Sequence, residues 1–525
     1  MLKPDELNIL PKQVSDIYAK LEEFVIKQIA EQLKISGTMN QKTINQIKAI
    51  QDLGFDIKRI DRAIQKATKL SDDELDNIYA DAIRRTQEFT DKITSKSDLI
   101  PPVPDRTFEI ISSAIALERQ TKEEFKNFTR SMGFAQDIGG KTVFKPIAKF
   151  YHDTLDFAQT QVQSGVIGYD ESVKNAVDTM VKSGLRTVDY KTGYTSKIEV
   201  AARRAVLTGL SQYTAKETEM RMEDLDTDLV EVSAHQGARD KGTGFENHKK
   251  WQGKVYSFYG NNPKYPSLRK ETGYGDIQGL KGANCRHDFF PFIEGVSERT
   301  YTDEQLANID PPPFEYEGKT YTAYEATQKQ RQLETAMRNE KLKMVGYDAA
   351  GLKPEFTASS VKLRRLRKYY NDFSDKAGLK TQAERFRVTG YDKAMAHKAN
   401  KSYHEMLTST NYYDKVRLGV QKLDISDGSQ GKHIRGHNNY KEGKSYLLID
   451  TKEAQELINQ YAGTGEFKKN KNGTYSNKEL VSCDRIIGVN VSSIDNTLKY
   501  TSDFYIHYAK NGTHIVPTIK EAKNN

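Results

Sequence analysis

Four of the ten histidines in this 525-residue chain lie in its last hundred residues, among basic and hydroxyl side chains. The histidines are His433, His437, His507 and His514, and their polar neighbours are Lys432, Arg435, Lys444, Thr501, Ser502 and Lys510. Carboxylates are absent between Gly428 and Lys441, and again after Asp503 until Glu521. This pattern disfavours a two-metal nuclease, which needs carboxylates to hold Mg²⁺.

Histidines flanked by cations suit the cleavage of RNA without a metal ion. The unperturbed pKa of imidazole is near neutrality, so one histidine can take the 2′-hydroxyl proton while a second group protonates the leaving 5′-oxygen. A nearby cation stabilises the charge of the pentavalent phosphorane. We predict His433 as the general base and His514 or His507 as the general acid, with the last two not ordered by the sequence.

The remaining residues of this group are predicted to bind the substrate. We expect Lys432, Arg435 and Lys510 to hold the scissile phosphate, and Thr501 or Ser502 to hydrogen-bond one of its oxygens. The alternative is that the histidines only cap strands and loops, in which case the domain has no catalytic role.

A second group of rare residues lies in the glycine-rich stretch 233–292. It contains His235, His248, Cys285, His287 and Trp251, the only tryptophan of the chain. The four histidine and cysteine side chains are weak candidates for a zinc site, because their types suit zinc but their spacing does not. The preferred interpretation is a loop-rich fold held by hydrogen bonds, with Trp251 in its core and no bound cofactor.

The first 225 residues are predicted to be mainly helical. Apolar residues spaced three and four apart predict helices over 13–33, 40–53, 56–69, 108–132, 145–164, 170–184 and 196–222. Ser71 and Glu74 have the spacing of a capping box, which predicts a helix start at Ser71, and Pro101–Pro104 predicts a break. We expect these helices to form an assembly surface; a self-contained bundle is the alternative.

Two further regions follow the central stretch. Residues 314–321 alternate like a hairpin, 324–343 read as a helix, and 359–403 carry 12 Lys or Arg against 4 Asp or Glu. Such a basic helical segment could lie along the phosphate backbone of DNA without sequence specificity, or could be a solvated face. From about residue 416, strands alternate with turns around one short helix, 451–461, which predicts a small α+β domain.

The amino-acid composition indicates what kind of fold and which cellular compartment to expect. Hydrophobic residues make up 37% and charged residues 29%, with a net charge of +8, which favours elongated helical segments over one large core. Two cysteines cannot build a disulfide framework, so we expect a reducing compartment. The sequence has neither a signal peptide nor an apolar run long enough to cross a membrane, so no membrane partner is expected.

Three motifs in the central stretch carry a family resemblance. They are His-x-Gly-Ala-Arg at 235–239, His-x-x-Trp-Gln-Gly at 248–253 and Gly-Ala-Asn-Cys-Arg-His at 282–287, followed by Pro291-Phe292. Over roughly residues 1–400 the chain resembles the phage minor capsid protein type 2 family, which is related to Mu-type head morphogenesis proteins. The resemblance implies a virion protein near the portal, present in few copies, with portal and capsid proteins as partners.

A second resemblance covers roughly residues 418–520. Its motifs are Lys-His-Ile-x-Gly-His-Asn-Asn-Tyr at 432–440, Gly-Lys-Ser at 443–445, Tyr-Ala-Gly-Thr-Gly at 461–465 and Ile-His-Tyr-x-Lys-x-Gly-x-His-Ile-Val-Pro at 506–517. They resemble the polymorphic toxin type 50 domain, grouped with barnase/EndoU/colicin/RelE-like nucleases. The resemblance implies a metal-independent ribonuclease, with RNA as substrate and an immunity protein as a candidate partner.

The sequence therefore predicts a multidomain chain. The predicted parts are a mainly α head-association region at 1–225, a loop-rich α+β domain at 226–310, a hairpin with a basic helical segment at 311–415, and a nuclease-like α+β domain with a mostly antiparallel sheet at 416–525. The expected location is the virion, with the host cytoplasm during assembly and after delivery. The alternatives are a purely structural virion protein with an inactive C-terminal binding module, and a DNA-binding or DNA-piloting protein.

Overall fold

Two compact units make up the chain, Met1–Phe356 with Arg365–Asp392 and Thr357–Arg364 with Lys393–Asn525. The computed structural model describes residues 6–34, 57–94, 106–164, 169–188, 194–276, 278–282 and 285–520. The predicted helix at 40–53 and the predicted break at Pro101–Pro104 lie outside these residues. None of the described helices is both long and apolar enough to cross a membrane.

The first unit is mainly helical, as predicted. Its helices are α1 (Glu6–Gln32), α2 (Ile57–Thr94), α3 (Thr107–Thr129), α4 (Ile147–Gln163), α5 (Tyr169–Ser183), α6 (Ile198–Asp224), α7 (His248–Trp251), α8 (Leu268–Thr272), α9 (Asp303–Ala307), α10 (Ala323–Ala350) and both ends of α11 (Lys353–Lys376), with a 3-10 turn at Ala383–Phe386. The middle of α11, Thr357–Arg364, belongs to the second unit. Its strands are β1 (Met132–Ile138), β2 (Lys141–Pro146), β3 (Arg186–Val188), β4 (Thr195–Lys197), β5 (Leu229–Val232), β6 (Val255–Ser257), β7 (Phe289–Phe292), β8 (Phe314–Tyr316) and β9 (Lys319–Tyr321).

Helix α6 is the centre of this unit, because it packs against α1 and α3 and is buried along most of its length. The packing is close enough to require glycine at Gly209, where a Cβ atom would lie 2.2 Å from the hydroxyl oxygen of Tyr79. A buried ion pair crosses the same interior: Arg338 Nη2 lies 2.7 Å from Glu22 Oε2 and 3.1 Å from Glu199 Oε2.

Two predictions for this region are corrected by the structure. Ser71 does not begin a helix, because α2 runs through it and the Ser71 hydroxyl donates to the carbonyl oxygen of Ala67 within the same helix. Burial of Ser71 beside the Tyr18 hydroxyl explains the residue without a cap. The predicted helices 108–132 and 145–164 are both present but shorter, because β1 and β2 form an antiparallel hairpin between them.

The loop-rich central stretch contains a three-stranded antiparallel sheet in the order β6-β5-β7. Its core is shared with the end of α6, through Ala215 and Met222, and Trp251 lies inside it, as predicted. The indole Nε1 of Trp251 donates to the carbonyl oxygen of Phe245 at 2.7 Å. The predicted hairpin at 314–321 is confirmed, with β8 and β9 paired in antiparallel register.

The second unit contains the predicted small α+β domain. Its helices are α12 (Lys393–Thr408), α13 (Tyr412–Arg417), α14 (Asp427–Gln430) and α15 (Thr451–Tyr461), with a 3-10 turn at Gly431–His433. Its strands are β10 (Tyr446–Leu447), β11 (Glu466–Lys469), β12 (Tyr475–Ser482), β13 (Gly488–Val491), β14 (Leu498–Thr501), β15 (Asp503–Ala509) and β16 (Gly512–Thr518). They form two antiparallel sheets, β11-β12-β15-β16 and β10-β13-β14.

Strand β15 shows how the core of this domain is separated from its polar side. Phe504, Ile506 and Tyr508 are buried in the hydrophobic core with α15, and the residues between them are only half-buried. Since successive side chains of a strand point to opposite faces, His507 lies on the face away from this core.

A buried carboxylate stabilises the turn that follows α15. Glu479, on β12, accepts hydrogen bonds from the backbone N–H groups of Gly463 (2.9 Å) and Gly465 (2.5 Å), and from the Tyr508 hydroxyl. Gly463 has a φ of 87°, which a residue with a side chain rarely adopts. The Tyr-Ala-Gly-Thr-Gly motif is therefore explained by this buried contact.

We predict that Glu479→Ala destabilises the C-terminal domain by about 3 kcal/mol, because the two glycine N–H groups and the buried Tyr508 hydroxyl lose their acceptor. Hydrogen exchange of β12 and β15 amides in the full chain should then become about 100-fold faster. The exposed Glu456→Ala, on α15, should change the exchange of the same amides little. Equal exchange rates in the Glu479→Ala protein and the wild type would contradict this role.

Candidate active site

The register of three adjacent strands places three polar residues in one row. His507 on β15 lies directly opposite His514 on β16, and Lys478 on β12 lies opposite His507. The two imidazole rings are 4.8 Å apart between centroids. Residues paired in this way point to the same face of a sheet, so the three side chains form one polar row.

The third histidine comes from the loop that covers this row. His433 ends the 3-10 turn Gly431–His433, and its ring lies nearly parallel to that of His514, with 6.0 Å between centroids. His433 Nδ1 lies 2.7 Å from the carbonyl oxygen of Ser445. A carbonyl only accepts, so Nδ1 carries the proton and Nε2 keeps the lone pair that a general base needs.

Two further contacts hold this loop in place. The buried amide of Gln430 donates to the carbonyl oxygen of Ile515 at 3.0 Å and accepts from the Ile515 N–H at 2.8 Å. The Ser445 hydroxyl, in turn, lies 3.2 Å from Asn490 Oδ1 and accepts from the N–H of Val491. The loop that carries His433, and the Ser445 carbonyl that its ring contacts, are therefore held by hydrogen bonds to both sheets.

All three imidazoles are held in the neutral form. Burial lowers the pKa of His507 to about 3 and that of His514 to about 4, and it also lowers the pKa of His433. Positive charge lowers these values further: Lys432 and Lys444 act on His433 and His514, and Lys478 acts on His507 and His514. The site is thus a set of neutral bases surrounded by cations, which is suited to an anionic ligand.

The structure brings His433, His507 and His514 together, and the charges of Lys432, Lys444 and Lys478 act on their rings. Their catalytic roles stay predictions. Lys478 was missed because its only signal is its place in an alternating strand, and strand register is not visible in the sequence. Gln430 was missed for the same reason, since its partner on β16 is 85 residues away.

Arg435 and Lys510 lie at other positions around the domain. The Arg435 guanidinium stacks on the ring of Tyr446, with 3.7 Å between its Cζ and the ring centroid. Lys510 lies in the turn between β15 and β16, where its charge contributes to lowering the pKa of Lys415. An approach of either side chain to a phosphate at the three histidines stays a prediction.

Thr501 and Ser502 lie farther from the histidines. They precede β15, whose first residue, Asp503, pairs with Thr518, four residues along the strand from the His507–His514 pair, which corresponds to about 13 Å. The Thr501 hydroxyl donates to the carbonyl oxygen of Thr518 at 2.6 Å. The fold does not bring these hydroxyl residues together with the histidine cluster.

His437 has contacts within the covering loop. Its Nδ1 accepts from the N–H of Asn439 at 3.1 Å, so Nε2 carries the proton and faces the Asp427 carboxylate at 3.4 Å. Its ring also lies against Gly431, where any Cβ atom would meet it. These contacts hold His437 within the covering loop, beside the three-histidine cluster.

The weak metal candidates of the central stretch also converge. His248, Cys285 and His287 are buried, and one ligand atom from each lies within 4.8 Å of the others. The ring of His235 stacks on that of His287, with 4.3 Å between centroids. Burial lowers the pKa of His248 to about 4 and raises that of the Cys285 thiol. Ala283 and Asn284 of the third motif lie outside the described residues.

We predict that His514 titrates near pH 4 and His507 near pH 3 in the free protein. Because the unfolded chain takes up these protons near pH 6.5, the C-terminal domain should lose stability as the pH falls below about 6.5. NMR of histidine-labelled protein measures both values, with single His→Gln variants for assignment. Inorganic phosphate should raise them, since an anion favours the imidazolium; titration above pH 6.5 without a ligand would contradict the prediction.

Comparison with known proteins places both parts of the chain. Residues 425–517, which contain the three-histidine cluster, match the bacterial toxin 50 model. A structural protein of Lactococcus phage LL-H is 24% identical over 311 residues, which cover 56% of this chain and 80% of that protein. A structural protein of Lactococcus phage mv4 is 44% identical over 48 residues, which cover 9% of this chain and 38% of that protein.

The phage minor capsid protein 2 model matches residues 2–375, which is more than half of the chain. Together with the helical first unit and its loop-rich central stretch, this match identifies the chain as a member of the phage minor capsid protein 2 family that carries a bacterial toxin domain at its C-terminal end.

Proposed function

We propose that this chain is a portal-proximal minor capsid protein whose C-terminal domain is a metal-independent endoribonuclease. The enzymatic part rests on the cluster of His433, His507 and His514, on which the charges of Lys432, Lys444 and Lys478 act. Among the described residues, no carboxylate is placed against these rings, so the site favours a phosphate backbone over a metal ion.

The proposed reaction begins at the 2′-oxygen of RNA. Nε2 of His433 takes the 2′-hydroxyl proton, and the oxygen attacks the adjacent phosphorus. The bond from phosphorus to the 5′-oxygen breaks as His514 or His507 donates a proton to that oxygen. The products are a 2′,3′-cyclic phosphate and a free 5′-hydroxyl, and Lys432, Lys444 and Lys478 stabilise the phosphorane.

The low pKa values of His507 and His514 are compatible with this reaction once the effect of the bound substrate is considered. A general acid must carry a proton, yet burial keeps His507 and His514 neutral in the free protein. A bound phosphodiester lies close to both rings and favours their charged form, so it raises their pKa. Substrate binding and protonation of the acid are therefore coupled.

We predict that His433→Ala lowers the rate of RNA cleavage by the full chain by about 10²–10⁴-fold, the usual size of a general acid–base contribution. EDTA should leave the rate unchanged, and the products should carry 2′,3′-cyclic phosphate ends. The exposed His404→Ala, on α12 of the same unit, is the matched control for loss of a histidine. Full activity in both His433→Ala and His514→Ala would overturn the site assignment.

A substrate with a different leaving group determines whether His514 or His507 is the general acid. p-Nitrophenolate leaves without protonation, so a uridine 3′-(p-nitrophenyl phosphate) substrate does not need a general acid. The variant that lacks the acid, His514→Ala or His507→Ala, should regain activity on this substrate, whereas His433→Ala should not. An inactive domain on both substrates would instead support a purely structural protein with a C-terminal binding module.

The capsid part of the proposal rests on the family match and on the helical first unit. Portal and capsid proteins are the proposed partners, the virion is the proposed location, and delivery would place the toxin domain in the host cytoplasm. A capsid component that carries a nuclease would need protection in the producing cell, so an immunity protein is a further proposed partner.

We predict that deletion of residues 1–225 abolishes incorporation into phage heads, whereas deletion of 415–525 does not.

The first deletion also removes Ala215 and Met222 from the core of the central stretch, so a variant that leaves this core intact is needed. Phe108 and Ile115 on α3 are 81% and 56% exposed, and Phe108→Ser with Ile115→Ser removes this apolar surface without touching the core. Quantitative immunoblots of purified heads measure incorporation, with the exposed Glu123→Ser as control; heads that retain the protein without residues 1–225 would refute the assignment.

A further inference from the structure

The buried cluster of the central stretch belongs to the first unit and has no part in the proposed nuclease chemistry. His248, Cys285 and His287 are 2%, 7% and 2% exposed, within a core that also contains Trp251 and Phe289. Three side chains that can ligate a metal ion therefore meet inside an apolar shell. Interiors of this kind rarely hold such groups without a partner for each polar atom.

The hydrogen bonds determine which nitrogen of His287 carries its proton. Gln252 Oε1 accepts from the backbone N–H of His235 at 3.1 Å, which identifies that atom as the oxygen. The same oxygen lies 3.0 Å from His287 Nε2, so Nε2 must be the donor. His287 Nδ1 therefore keeps its lone pair, and it faces Cys285 Sγ at 3.6 Å.

The same argument applies to His248. Its Nε2 lies 2.9 Å from the carbonyl oxygen of Gln278, which can only accept, so Nδ1 keeps the lone pair. Each imidazole thus has one N–H anchored by an oxygen and one nitrogen left as a ligand. Metal-binding histidines in proteins are held in this way, because the anchored N–H sets the tautomer and the ring orientation.

We propose that His248, Cys285 and His287 bind one zinc ion that ties α7 to the segment entering β7. Two imidazoles and a thiolate are a donor set that zinc prefers, and a fourth position remains for water or for His235, whose ring stacks on His287. Binding releases the thiol proton of Cys285 to solvent, and the thiolate reduces the charge of the site. Lys281, whose charge acts on Cys285, is paired with Asp288 at 2.5 Å.

This proposal departs from the expectation drawn from residue spacing. Cys285 and His287 are two residues apart and His248 lies 37 residues upstream of Cys285, which is unlike a zinc knuckle. The fold removes that objection, because α7 and the segment before β7 are brought together around Trp251, whose ring lies 4.6 Å from that of His248 and 4.7 Å from that of His287.

The test is the metal content of the full-length protein. Protein purified without chelators should contain about one zinc ion per chain, and Cys285→Ser and His287→Gln should lose it. Cys483→Ser, which removes the second thiol of the chain, is the matched control and should keep the zinc. Zinc content unchanged by Cys285→Ser would overturn the assignment.

Cobalt binding to the wild-type protein tests the same site even if the variants misfold. Co²⁺ added to chelator-stripped wild-type protein should produce a thiolate-to-cobalt charge-transfer band, which Zn²⁺ abolishes by displacement. Zinc should also raise the thermal midpoint of the stripped protein, because it binds the folded state. A folded wild-type protein that contains no zinc and takes up no cobalt would show that the cluster is a hydrogen-bonded thiol–imidazole group only.

Discussion

The antiparallel register of β12, β15 and β16 is the constraint on which the C-terminal site depends. It sets His507 opposite His514 and Lys478 opposite His507, while Phe504, Ile506 and Tyr508 point into the core. A slip of one residue would exchange these two sets, placing the imidazoles in the core and Phe504, Ile506 and Tyr508 on the polar face. Hydrophobic burial on one face thus positions the chemistry on the other.

The electrostatics of this face follow from the same arrangement. The covering loop brings His433 and Lys432 over the sheet, pinned to β16 by Gln430, and burial keeps the imidazoles neutral. The lysines supply positive charge that the described carboxylates do not neutralise at this position. In the proposed function a polyanionic substrate offsets this positive charge, and its own charge raises the pKa of the proposed general acid.

The central cluster contains a similar set of side chains in a different environment. There, the imidazoles are almost fully buried, each has an anchored N–H, and a thiol replaces the lysines. The ligand proposed for this interior is a small cation that binds nitrogen and sulfur, whereas the ligand proposed for the C-terminal site is an anion. Within one chain, burial and the neighbouring charges therefore separate a proposed catalytic site from a proposed structural one.

Local patterns in the sequence determined several elements of this protein. The helix Thr451–Tyr461 follows from its apolar spacing, and the structure adds a capping box between Asp450 and Glu453. The hairpin at 314–321, the antiparallel α+β character of the last domain and the concentration of histidines without carboxylates were also visible, because each depends on residues close together along the chain.

The tertiary structure decided the contacts between distant residues. The Ser71-x-x-Glu74 pattern predicted a helix start, yet packing against α1 buries Ser71 within a continuous helix. The partnership of Lys478 with His507, the bond from Gln430 to Ile515 and the meeting of His248 with Cys285 all join residues separated by at least 29 positions. Such contacts depend on strand register and on the burial of apolar faces, which are properties of the whole fold, so no local stretch of sequence encodes them.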